Sequence, residues 1–95
     1  MLFILTCHDK PNALDLRMAT REKHLAYIST HADVVRLAGP LLAEDGGMVG
    51  SHFIIEVSDR AEAERFSADD PYTQAGLFER IELMSFRAIV GSWVT

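Results

Sequence analysis

A chain of 95 residues has room for one domain and one core. Apolar residues make up 48% of it, too many for a disordered chain, and the longest apolar runs fall well short of the roughly 20 residues that a membrane span needs. A net charge of −5, spread along the chain, opposes non-specific nucleic-acid binding, which requires a basic face. Cys7 is the only cysteine, so no intrachain disulfide can form; with no basic leader before the first apolar run, a cytoplasmic location is the default expectation.

In chain order, Leu2 to His8 is a short apolar run rich in β formers, closed by the turn chemistry of Asp9-Lys10-Pro11-Asn12. From Leu14 to His31 the period lengthens to that of a helix. Leu14, Met18, Arg21, Leu25, Ile28 and Ala32 share one stripe, expected to face the core, and Asn12 is expected to cap the helix. Val34 to Ala38 reads as a second strand ended by Gly39-Pro40, with Leu41 and Leu42 as an extension beyond a kink. Glu44-Asp45-Gly46-Gly47 is turn chemistry. From Gly50 to Val57, Phe53, Ile55 and Val57 alternate with His52, Ile54 and Glu56, so the second and third strands form an antiparallel pair.

Asp59 and Glu62 have the spacing of a capping box, which starts a shorter helix running to about Asp69 with Ala63 and Phe66 on its core side. Proline disfavours the helical conformation in the residue before it. Asp70-Pro71 therefore ends that helix and opens another turn, with Asp70 as N-cap and Gly76 as the stop. Phe78 to Val90 reads as the last strand. The order β-α-β-β-α-β predicts an α+β, ferredoxin-like domain over residues 1–95: a four-stranded antiparallel sheet with two helices on one face. Several strands carry apolar residues on both sides, so a partner sheet is the expected cover for the other face. A homodimer follows as an expectation, with Gly91-Ser92-Trp93-Val94 helping to seal it.

Arg17, Arg21 and His24 stand at i, i+4 and i+7 and project from nearly the same side of the long helix. Imidazole has an ordinary pKa of about 6.5, which suits His24 to proton transfer near neutral pH, and the two arginines suit an anionic substrate. Asp70 has a sufficient structural role as a cap. If its turn lies beside the long helix, its carboxylate also orients the His24 ring. Asp9 and His8 end the first strand, Ser51 and His52 begin the third, and Tyr72 follows the proline turn; Arg21, Ser51, Tyr72 and Asp9 are the substrate-binding candidates. The four histidines lack metal-ligand spacing and no nucleotide-binding glycine motif occurs, so neither a metal nor a cofactor is expected. Cys7 reads as a small core residue.

Asp9-Lys10-Pro11, Arg17, Arg21-Glu22-Lys23-His24-Leu25-Ala26, Ala38-Gly39-Pro40, Asp69-Asp70-Pro71-Tyr72 and Ala75-Gly76-Leu77-Phe78 together resemble the YCII-related proteins, nearly end to end. The resemblance implies a ferredoxin-like fold that dimerises into an α/β barrel. It also implies a site with a histidine and an aspartate, carried here by His24 of Arg-x-x-His-Leu and Asp70 of Asp-Pro-Tyr. Gly39-Pro40 and Gly50-Ser51 would shape the pocket wall, and His52 is a departure expected to crowd the pocket or add a group to it. Lyase-like chemistry on small hydroxylated rings, including dehydrochlorination, is what the resemblance implies for function. The expected function is thus cofactor-independent acid/base chemistry, lyase-like or isomerase-like, by a His24–Asp70 pair. The alternative is a non-catalytic dimeric module that binds a small ligand in the same cleft or serves as an accessory subunit. A cofactor-free oxygenase rests on fold analogy alone.

Overall fold

The computed structural model describes residues 1–94; residue 95, the end of the expected domain, lies outside the described residues. Seven elements follow one another: β1 (Leu2–Asp9), α1 (Leu14–Thr30), β2 (Val35–Leu42), β3 (Met48–Glu56), α2 (Arg60–Asp69), a single turn α3 (Pro71–Gln74), and β4 (Phe78–Phe86). The strands form one sheet in the order β2-β3-β1-β4, and every neighbouring pair is antiparallel. This is the ferredoxin-like α+β arrangement. One face of β1 and β3 carries Phe3, Leu5, Cys7, Phe53 and Ile55, which pack with Ala63 and Phe66 of α2 into the core. Alternation along a strand sends Leu2, Ile4 and Thr6 of β1, and His52, Ile54 and Glu56 of β3, to the opposite face.

Several local expectations shift. The N-cap of α1 is Ala13, without a side-chain bond, whereas Asn12 makes the preceding turn at φ +56°, a left-handed conformation that asparagine tolerates better than most residues. Pro40 lies within β2 rather than ending it, paired opposite Ser51; β2 is an edge strand, where a missing N–H is tolerated. The last strand stops at Phe86, and residues 87–94 run on without strand pairing, leaving Val90 90% and Trp93 83% exposed. A groove of about 920 Å³ lies between this tail and Leu2, Leu37, Ile54 and Phe86 of the uncovered sheet face.

The largest correction concerns α1. Its buried residues are Arg17, Thr20 and His24, while Leu14, Met18 and Leu25 of the expected apolar stripe are each about half exposed (50%, 51% and 47%). A helix buries polar side chains only where partners replace water. Such partners await this face, and they form the site described next.

Candidate functional site

The junction between α2 and α3 supplies the first piece. Asp59 caps α2 by accepting the Glu62 N–H at 2.9 Å, and Asp70 ends that helix in an extended conformation (ψ 128°) set by the following proline. Asp70 then caps α3: its Oδ1 accepts the Tyr72 N–H at 2.9 Å. The same oxygen accepts a hydrogen bond from His24 Nδ1 at 2.8 Å, and the Asp70 side chain is 2% exposed. A carboxylate can only accept, so Nδ1 carries a proton, and the neutral form of the ring keeps its lone pair on Nε2. The imidazole is also held on its faces and edges. The Tyr72 ring stacks on it (4.0 Å between centroids, 16° between planes), and Phe53 meets it edge-on at 5.9 Å.

Arg17 supplies the second piece. Its Nε and Nη2 donate to Asp9 Oδ2 and Oδ1 at 2.8 and 2.9 Å, a bidentate pair in which both side chains are buried. Nη2 also donates to Ser51 Oγ at 2.8 Å, and the guanidinium carbon lies 4.7 Å from the centre of the Tyr72 ring. Burial works against the Arg17 charge, but the bond to Asp9 and its charge outweigh it and hold the pKa above the ordinary arginine value. Ser51 reaches this spot because Gly50 lets β3 close against β1: a Cβ there would stand 2.3 Å from the Cys7 carbonyl oxygen.

Arg17, Arg21, His24, Ser51 and Tyr72 line a single cleft of about 280 Å³ between α1 and the β2–β3 hairpin, whose other walls include Leu25, Ile28, Gly39, Pro40, Met48 and Phe53. Arg21 is exposed at its border. Burial raises the Tyr72 pKa, with Arg17 and Arg21 pulling it down and Asp70 adding to the rise. Its phenol therefore stays protonated at neutral pH.

Of the expected site residues, His24, Arg21, Ser51 and Tyr72 line this cleft, and Asp70 stands behind His24 without lining it. Asp9 is adjacent but does not line it, because both its oxygens are taken by Arg17. His52 neither crowds the cleft nor adds to it. It alternates with Ser51, so it points to the uncovered sheet face, where Nδ1 meets Thr6 Oγ1 at 3.1 Å. His8 is on that face too, 3.0 Å from Glu82 and 3.2 Å from Arg80, and His31 closes the C-terminus of α1 against Tyr27. Cys7 sits in the core with its thiol pushed up to about 12 by burial, then by Asp70 and Asp9, against the pull of Arg17. It is no nucleophile. Arg17 is the residue whose weight the sequence understated; its shared face with Arg21 and His24 was visible, but its two partners were not.

A ferredoxin-like domain with a buried histidine–carboxylate pair on the wall of a small cleft is the class that fold and site define. The chain belongs to the family described as the YCII-related domain, whose model matches residues 1–87. It is 32% identical over 97 aligned residues to Protein YciI of Escherichia coli O6:H1, covering 94% of this chain and 99% of that protein. A Haemophilus influenzae protein matches with the same identity and coverage. Among solved structures it is similar to 5-chloro-2-hydroxyhydroquinone dehydrochlorinase (TftG) from Burkholderia phenoliruptrix AC1100 in complex with 2,5-dihydroxybenzoquinone. That likeness has a TM-score of 0.85 and 32% identity, over 92% of this chain and 94% of that one. An antibiotic biosynthesis monooxygenase shares the fold alone, with a TM-score of 0.51 and 18% identity, over 93% of this chain and 100% of that one.

Proposed function

We propose that this chain is a cofactor-independent enzyme that moves protons on a small hydroxylated ring, with His24 as the base and Asp70 as the residue that orients it. The observation that carries the reading is the 2.8 Å bond from His24 Nδ1 to a carboxylate that is itself pinned as a helix cap. Protonation of Nε2 gives an imidazolium, which the Asp70 charge stabilises where it stands. Phe53, Leu25, Ile28 and Met48 offer apolar walls to a ring, while Arg21 and Ser51 offer polar anchors to its oxygens. The likeness to a dehydrochlorinase solved with a dihydroxyquinone supports this ligand class and an elimination or tautomerisation within it.

The test is chloride release from 5-chloro-2-hydroxyhydroquinone, followed beside binding of 2,5-dihydroxybenzoquinone. Turnover that His24→Ala abolishes, with the fold kept, is the expected result. Binding without turnover, indifferent to His24→Ala, would leave a ligand-binding module instead.

The uncovered sheet face extends the proposal to a homodimer in a barrel-like arrangement. Leu37, Met84 and Phe86 are exposed on it beside half-buried Leu2, Ile4 and Ile54. A second copy packed sheet to sheet would cover them and leave the cleft, on the helical side, open. Sedimentation equilibrium is expected to give twice the chain mass, and Met84→Asp the monomer. A parent chain that is monomeric at all accessible concentrations would refute this part.

A further inference from the structure

We propose that the hydroxyls of Ser51 and Tyr72, with Arg17 behind them, form an oxyanion-binding corner of the cleft: two donors for the substrate oxygen on which negative charge collects when His24 takes a proton. The inference rests on the proposed acid/base reading and adds the group that stabilises the charge His24 generates.

Three observations carry it. Arg17 itself is a poor anion site, because its charge is already neutralised by the bidentate pair with Asp9. It is well placed to polarise its neighbours instead. It donates to Ser51 Oγ at 2.8 Å, so the Ser51 oxygen is occupied as an acceptor and its own proton is left over. Ser51 is 3% exposed, and among the described residues nothing accepts that proton. The Tyr72 hydroxyl also has a proton to give. Its ring bridges His24 and Arg17, two turns apart on α1, and no side chain or carbonyl among the described residues accepts its phenolic proton. Arg17 can only donate, so it cannot satisfy either hydroxyl as an acceptor.

Two hydroxyl protons without acceptors among the described residues therefore border one cleft, beside the guanidinium of Arg17 and the proposed base. Donors that face a cleft can turn to whatever occupies it, and an oxygen that gains charge during a reaction is the acceptor they suit best. Proton removal from a ring hydroxyl or from a carbon next to a carbonyl places the electron pair on just such an oxygen, as a phenolate or enolate.

The experiment titrates 2,5-dihydroxybenzoquinone, which is ionised at neutral pH, against the parent, Tyr72→Phe, Ser51→Ala and the double variant. Unionised hydroquinone is the comparison probe, and 5-chloro-2-hydroxyhydroquinone turnover is measured in parallel. Phenylalanine keeps the ring that stacks on His24, so the thermal midpoint of Tyr72→Phe is expected to stay at the parent value. The anion is expected to bind about tenfold or more weakly to each single variant, as for loss of one hydrogen bond to a charged group, with hydroquinone affinity almost unchanged. Turnover is expected to fall by about a hundredfold in Tyr72→Phe, as when one oxyanion donor is removed. Unchanged affinity for the anion and unchanged turnover in Tyr72→Phe would overturn the corner while leaving His24 as the base. A parent that neither binds the quinone nor turns over the chlorinated ring would overturn both readings together.

Discussion

Asp70 does two jobs with one oxygen, and its substitution separates them. Removing the side chain in Asp70→Ala deletes the cap on the Tyr72 N–H, worth about 1 kcal/mol, and the buried charged bond from His24, worth about 1.5–3 kcal/mol. The sum is a loss of about 2.5–4 kcal/mol, or a midpoint lowered by about 10–32 °C for a domain of this size. Asp70→Asn keeps an oxygen where Oδ1 stands, so both donors retain a neutral acceptor. Only the charge is lost, about 1–1.5 kcal/mol, and the midpoint is expected to fall by about 4–12 °C. Urea unfolding of the two variants, followed by circular dichroism, measures the difference. His24→Ala made in each background gives the coupling between the two groups. Turnover is expected to suffer comparably in both variants, since neither can stabilise an imidazolium. Equal stabilities for the alanine and asparagine variants, or no coupling to His24, would refute the reasoning.

Three further outcomes follow from the same geometry. Arg17→Met leaves Asp9 buried without its partner and is expected to cost about 3–5 kcal/mol in chemical denaturation, with much of the loss recovered when Asp9→Leu is added. Gly50→Ala sets a methyl group against the Cys7 carbonyl, so β3 must shift; a reduced yield of folded protein or a loss of at least about 1–3 kcal/mol is expected, together with weaker ligand binding through the displaced Ser51. The Cys7 thiol, raised from 9.0 to about 12 in the fold, ionises more readily once the chain unfolds. Its contribution to stability is therefore complete below pH 9 and is lost as pH rises toward 12. Disulfide exchange with a thiol reagent at pH 8 is expected to be very slow in the native protein and rapid in urea.

How far the sequence revealed this protein depended on the distance between partners. The Asp59–Glu62 cap, the Asp70-Pro71 turn and the alternation of β3 were legible because their determinants lie within a few residues. The buried face of α1 was not. An apolar stripe through Leu14, Met18 and Leu25 outweighs Arg17 and His24 in any local reading. The compensation for burying them comes from Asp9, Ser51 and Asp70, brought in by three other parts of the fold. His24 and Asp70 were separately visible as candidates, yet their contact spans 46 residues and depends on how α3 packs on α1. For His52 the alternation with Phe53 already pointed away from the core; its departure from the family pattern beside Gly50-Ser51 suggested the pocket.

Because one carboxylate oxygen holds both the Tyr72 amide and the His24 ring, the amide proton is a built-in spectroscopic reporter. Its NMR resonance should move with the charge on the imidazole during a pH titration or a ligand titration. Its exchange with deuterium should slow or quicken in step with the integrity of that bond, so the state of the His24 ring becomes readable from the backbone without labelling the side chain.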